Sequence, residues 1–301
     1  LRLHVMRPTW HFVAPDDIRW LVQLTAPRVK ATHSYYFKKS ELDDATIKRT
    51  NKILTKALRD GNQMTRDELR QVVKRAGVEP GDSERFGRIM FRAELDGVVC
   101  SGARNGNQFT YALVDERVPK SRLMERDEAL AELARRYFDT RSPASAQDFA
   151  WWSGLTLTDV KRAIDSCGSL LRREVIADKT YWTSDKAKPS RINVIGTAHL
   201  LSAYDEYFIS YKDRTAAIHP KFDQKTMASK LVFDAPMVVD GFSAGGWKRV
   251  VSNGEVTIQL SPFVTLKRTE QQSLKLAAER YAKFLGKAAR ITSSGRQLLV
   301  M

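Results

Sequence analysis

Residues 1–13, LRLHVMRPTWHFV, alternate apolar and polar positions, and a period of two predicts a strand or a strand pair. The period then changes. Pro15, Asp16 and Asp17 open a helix with acids in its first turn, where the helix dipole favours them. IRWLVQLTA continues it, and the helix is expected to stop before Pro27. A short loop should follow. Ile47, Leu54 and Leu58 then lie on one stripe and predict a helix over 44–59.

Thr65 followed by Glu68 forms a capping box, and Leu69, Val72, Val73 and Ala76 extend it as a helix that Gly77 ends. Pro80, Gly81 and Asp82 make a turn. Ser83 is the expected cap of the next helix, whose apolar set is Phe86, Ile89, Met90 and Ala93. After Gly97, VVCSG and QFTYALV flank the turn at 104–107, and its Asn-Gly pair is a hairpin marker. Helix, helix, helix, hairpin is the order of a winged helix-turn-helix.

The order repeats. Leu130, Leu133, Ala134 and Tyr137 line a helix; Ser145 caps a second; Thr156 or Thr158 caps a third with Val160, Ala163, Ile164 and Cys167 inside. LLRREV and TYWTS then form a hairpin around 177–179. The strands of 1–13 resemble the wing of a further module, whose helices are expected to precede this chain. Residues 190–301 lack the repeat. Their strand-like runs near 231–240, 247–251 and 256–260, and a helix through Leu274, Ala277, Ala278 and Tyr281, predict a separate α+β, β-rich domain, a small curved sheet or a barrel-like unit. The expected division is 1–43, 44–123, 124–189 and 190–301, with the fold class α+β and tandem winged helices leading.

Fifty Lys and Arg against 35 Asp and Glu leave a net charge of +15. Such an excess favours a polyanion, with nucleic acid ahead of an anionic membrane. No apolar run is long enough to span a bilayer. Cys100 and Cys167 lie in apolar-periodic settings with no histidine near them in sequence. They read as buried thiols rather than zinc ligands, and such sparse usage fits a cytoplasmic chain. No metal or cofactor is expected, and the chain is read as a monomer on duplex DNA, nucleoid-associated.

Arg85, Arg88 and Arg92 fall within one stripe of the third helix, away from Phe86, and suit phosphates or guanine edges. A solvated basic face is the plain alternative. Arg104, Asn105 and Asn107 stand at the first wing tip, although the turn itself needs Asn-Gly. Arg172 and Arg173 stand on the second wing. His11 reads as a packed histidine beside Trp10. Asp205 and Glu206 are neighbours, so on a helix they diverge by about 100° and form no convergent pair. Capping and ion pairing with Lys212 or Arg214 is their ordinary use.

RPTWHFVAPDDIRWLVQLTAPRV at 7–29, AYDEYFISYKDR at 203–214 and VVDGFSAGGWKR at 238–249 resemble three signature blocks, the first written RPTxHxV, of the AlkZ-like family of winged-helix DNA glycosylases. The resemblance implies three tandem winged helices, a C-terminal β-rich domain and a DNA channel. It implies excision of N-alkylated purines or unhooking of crosslinks, with a Gln-x-Gln or Gln-x-Asp motif that places water. That motif lies before the RPTxHxV block in the family, and this chain is expected to lack it. No catalytic residue is therefore carried over. Trp10, His11, Asp205 and Glu206 are read as supporting residues, and Lys212, Arg214, Lys248 and Arg249 join the DNA-contact set. The alternative is a non-enzymatic winged-helix regulator or architectural protein.

Overall fold

The computed structural model describes residues 1–120, 124–187, 196–219 and 235–293. The expected boundaries near 123 and 189, and the first part of the strand expected at 231–240, lie outside them. The chain divides into two compact units, 1–187 and 188–301.

The first unit opens on an antiparallel pair, β1 (Arg2–Val5) and β2 (Arg7–Phe12). Helix α1 (Ile18–Thr32) follows a short 3-10 turn. The expected stop before Pro27 is corrected: α1 runs through it. Gln23, whose carbonyl loses its partner, and Pro27 are both exposed, so the missing bond falls on the solvent face. A second helix, α2 (Ser34–Lys39), stands where a loop was expected, anchored by buried Phe37.

Then come α3 (Asp44–Leu58), β3 (Met64–Thr65), α4 (Arg66–Arg75), α5 (Ser83–Leu95), β4 (Val99–Asn105) and β5 (Gln108–Leu113). Thr65 and Glu68 form the capping box. The cap of α5 is Asp82, not Ser83, with the Arg85 amide donating to Asp82 Oδ1 at 2.7 Å. The strands order as β3-β5-β4. Leu54, Leu58, Leu69, Phe86 and Met90 fill the core beneath them. Full burial of each such side chain contributes about 2 kcal/mol.

After α6 (Val114–Arg117), the same sequence of parts recurs with α7 (Arg126–Arg141), α8 (Ala146–Ser153), α9 (Leu157–Cys167), β6 (Leu171–Ile176) and β7 (Lys179–Ser184). Ser145 and Asp148 form a second capping box, and Thr156 caps α9. An isolated bridge, Ala144 to Trp182, holds the place that β3 holds in the first copy. The two hairpins belong to separate sheets. Tyr137, Phe138 and Phe149 pack edge-on or tilted in this second core with centroids 5.0–5.6 Å apart. Both cysteines are buried and free, and burial pushes the Cys100 thiol up to about 11.

The second unit is a five-stranded sheet of β8 (Ala198–Leu200), β9 (Pro236–Val239), β10 (Phe242–Val251), β11 (Glu255–Pro262) and β12 (Ala288–Ser293), in the order β12-β11-β10-β9-β8. A short helix, α10 (Glu206–Ile209), lies between β8 and β9 in sequence. Helix α11 (Arg268–Phe284) connects the parallel pair β11 and β12 and packs Leu274, Ala278 and Ala282 onto the sheet. The described strands leave two edges, β8 and β12, so of the two expected forms they make an open sheet and not a barrel-like closure.

Candidate nucleic-acid interface

The β1–β2 pair has two unlike faces because side chains alternate along a strand. Leu3 and Val5 are fully buried. Arg2, His4, Trp10 and Phe12 share the other face, where Arg2 is registered with Phe12 and His4 with Trp10. Trp10 is 50% exposed and Phe12 84%. Arg2 is 8% exposed. Its backbone amide donates to Ser101 Oγ at 2.9 Å, which ties β1 to β4. Its guanidinium carbon lies 4.2 Å from the Trp10 ring centre and 3.9 Å from that of Phe109 on β5. Arg104 lies 4.5 Å from the same Phe109 ring. Trp10, Arg2, Phe109 and Arg104 thus alternate aromatic and cation from the β1–β2 hairpin to the neighbouring β4–β5 hairpin.

The other end of this ladder is a buried acid. Glu94 on α5 is 1% exposed, and its Oε2 accepts from the His4 amide at 2.6 Å and meets His4 Nδ1 at 2.5 Å. The His4 ring lies 5.1 Å from Trp10 and 4.6 Å from Phe91. Sequence reading missed this pair because its members lie ninety positions apart. Only the alternation in 1–13, which sets His4 and Trp10 on one face, hinted at it.

A second feature is cationic. Lys48, Lys52 and Lys56 recur every four residues on α3 and are exposed. Ile47, Leu54 and Leu58 are buried on the opposite side. Among the described residues no carboxylate pairs with these three lysines. Their i, i+4, i+8 spacing was visible in the sequence and went unread.

The exposure expected for the arginine stripe of α5 is corrected. Arg85 donates from Nε to the Ser40 carbonyl at 2.9 Å and from Nη1 to the Glu79 carbonyl. Arg88 donates to Ser40 Oγ and Glu84 Oε1, and lies over Tyr36. Arg92 donates to Asp96 Oδ1 at 3.1 Å, stands 3.5 Å from Asp44 and lies over Phe37. All three are half-buried. The unforeseen α2 and the segment after it cover the stripe, so its cations hold the module together instead of facing solvent.

The remaining predicted residues divide. Arg104, Asn105 and Asn107 are exposed at the β4–β5 tip, as are Arg172 and Arg173 on β6, with Arg172 paired to Glu174 at 2.9 Å. His11 Nδ1 meets the Thr9 carbonyl at 3.0 Å, and Nε2 lies 3.4 Å from Arg7. In the second unit Asp205 caps α10 through the Tyr207 amide at 2.9 Å, and Glu206 accepts from Ser210 Oγ at 2.6 Å. Both carboxylates thus serve the local turn. Tyr207 Oη donates to the Gly241 carbonyl at 2.7 Å, which fastens the 203–214 block to the 238–249 hairpin. Arg214 donates to the Phe208 carbonyl, while Lys212, Lys248 and Arg249 are exposed.

An open cleft of about 670 Å³ lies among α1, α3 and the end of α5, lined by Val22, Ala26, Ile47, Lys30 and Asp96. Asp96 is held by Lys30 at 2.5 Å, by Asn51 at 2.8 Å and by Arg92. Burial raises its carboxyl pKa, but these partners outweigh that and leave it below the ordinary value. A carboxylate held in this way is a weak base. Among the described residues no cluster of three His, Cys, Asp or Glu could hold a metal, and no helix is long and apolar enough to cross a membrane.

A family model described as DNA glycosylase AlkZ-like matches residues 1–284. Among solved structures, that of the Streptomyces sahachiroi DNA glycosylase AlkZ is similar, with a TM-score of 0.75 at 19% identity. The match covers 98% of this chain and 81% of that one. Comparison with curated protein sequences gives no match.

Proposed function

The chain belongs to the AlkZ-like DNA glycosylase family, and on that premise we propose that it binds duplex DNA through tandem winged helices in the repair of alkylated bases. The repeated order of parts supports the winged-helix reading, with modules over 44–123 and 124–189 and a wing at 1–43. Each copy has a capping box directly after a residue that pairs with its hairpin, at Thr65 and at Ser145.

The observation that carries the DNA reading is the unpaired lysine face of α3. Three exposed ammoniums with no ion pair among the described residues are suited to successive phosphates, and the exposed wing cations Arg104 and Arg173 extend the set. Binding should be strongly salt-dependent and nearly indifferent to sequence. Replacing Lys48, Lys52 and Lys56 by Ala should flatten the log–log salt slope by about 2–3, since each neutralised phosphate contributes about 0.9. An unchanged slope would remove α3 from the interface.

The finer reading is excision of N-alkylated purines or unhooking of crosslinks. Such purines already carry positive charge, so the leaving group needs no proton. Release of free 7-methylguanine from methylated duplex tests this directly.

A further inference from the structure

The ladder of Trp10, Arg2, Phe109 and Arg104 is more than packing. A guanidinium removed from water ordinarily finds a carboxylate or carbonyl, because an uncompensated buried charge is costly. Arg2 is 8% exposed, and its Nε is buried with no hydrogen-bond partner among the described residues. No carboxylate ion-pairs with it there either. What it touches is the two aromatic rings. Those rings are not shielded in turn: Trp10 is 50% exposed and Phe109 38%. Phe12, registered with Arg2 across the hairpin, is 84% exposed. Among the described residues this cation thus has no ion pair, and it lies beneath aromatic surface that faces solvent.

We infer that this ladder is a binding site for one unpaired, uncharged nucleobase, stacked on the exposed aromatic surface with its phosphate near Arg104. The inference rests on the DNA reading above and adds the class of nucleotide taken. Aromatic side chains accept any base by its π face, and this stacking is tolerant of sequence. The same chemistry that admits a neutral base discriminates against a cationic one. A bare ring face attracts cations, but here Arg2 and Arg104 already draw on the electron density of these rings. A purine alkylated at N7 would bring another positive charge onto a face backed by Arg2. The ladder consequently selects an undamaged base, with the phosphate supplying the negative charge that Arg2 and Arg104 lack. It is a site for the normal base freed when the duplex opens.

The test uses the full chain and three short duplexes: fully paired, with one unpaired guanine, and with one unpaired 7-methylguanine. Affinities are read by fluorescence anisotropy, and the quantity of interest is their ratio. The unpaired guanine should tighten binding by about tenfold, within the range that one base–aromatic stack contributes. The 7-methylguanine should tighten it less. Trp10→Ala and Phe109→Ala should each bring the guanine ratio towards one, and Trp10→Phe, which keeps a stacking face, should retain most of it. The lysine variant of α3 should weaken all three complexes together and leave the ratio standing. A guanine ratio that survives the Trp10→Ala, Phe109→Ala double variant overturns the inference. So does a larger gain for 7-methylguanine that the same variants abolish. Failure of the parent chain to bind even the paired duplex would defeat the DNA reading itself, and the inference with it.

Discussion

Gly245 sits at a bulge in β10, where a side chain has no room. A Cβ there would meet the Ser261 carbonyl at 2.4 Å, Met237 Cε at 2.5 Å and Pro262 Cα at 2.8 Å. Gly246 beside it would meet nothing nearer than the Ala235 carbonyl at 3.6 Å. Gly245→Ala should therefore destabilise the second unit by about 2 kcal/mol through overpacking. Gly246→Ala should change its denaturant midpoint little. Equal midpoints for the two variants would show that β10 can shift aside. Residues of this local kind were often legible in sequence. Thr65 with Glu68 and Ser145 announce their caps because the partner lies three positions away, whereas Thr156 and Thr158 both offered a cap and the structure selects Thr156. Asp82 and Ser83 are both capping types, and only the Asp82 bond to the Arg85 amide separates them. The His4–Glu94 pair and the Arg2 ladder were not legible. Their members are brought together by packing of β1 on α5 and β4, which no spacing encodes.

At the scale of elements, α2 decides what α5 can do. A short run rich in aromatics, SYYFKK, carries little helical periodicity, so it read as loop. Once folded it sets Tyr36 and Phe37 against Arg88 and Arg92, so the stripe braces the first unit. Helices α1, α3 and α5 are braced in the same way by Asp96, which meets Lys30, Asn51 and Arg92. Because its pKa is held below 3.8 in the fold, Asp96 contributes stability that is present above pH 3.8. That contribution is lost as pH falls through the lower folded value. Asp96→Asn should cost about 2 kcal/mol at neutral pH, the scale of a hydrogen bond to a charged group. The gap between variant and parent should narrow in urea melts taken below pH 3.8. A gap that stays constant from pH 7 to pH 3 would mean that the loss comes from packing and not from charge.

Across the whole molecule the positive charge is not confined to the unit with the repeats. Residues 1–187 carry 33 Lys and Arg against 26 Asp and Glu, and residues 188–301 carry 17 against 9. The second unit thus has the larger excess on the shorter chain. Many cations of the first unit are spent inside it, as Arg85, Arg88, Arg92 and Arg136 show. On β10, by contrast, Lys248 and Arg249 are exposed, with Arg249 5.3 Å from the Tyr281 ring centre. If both units contact one duplex, each contributes its own released counterions to a single salt slope. Two linked contacts also raise affinity beyond either alone. Lys248→Ala with Arg249→Ala should then flatten the slope by about 1–2. Combined with the α3 lysine changes, the two reductions in slope should add. The measurement is a salt titration of duplex binding for the parent, each set and the combination. A slope that responds to α3 alone would confine DNA to the first unit and leave the charge of the second to another polyanion.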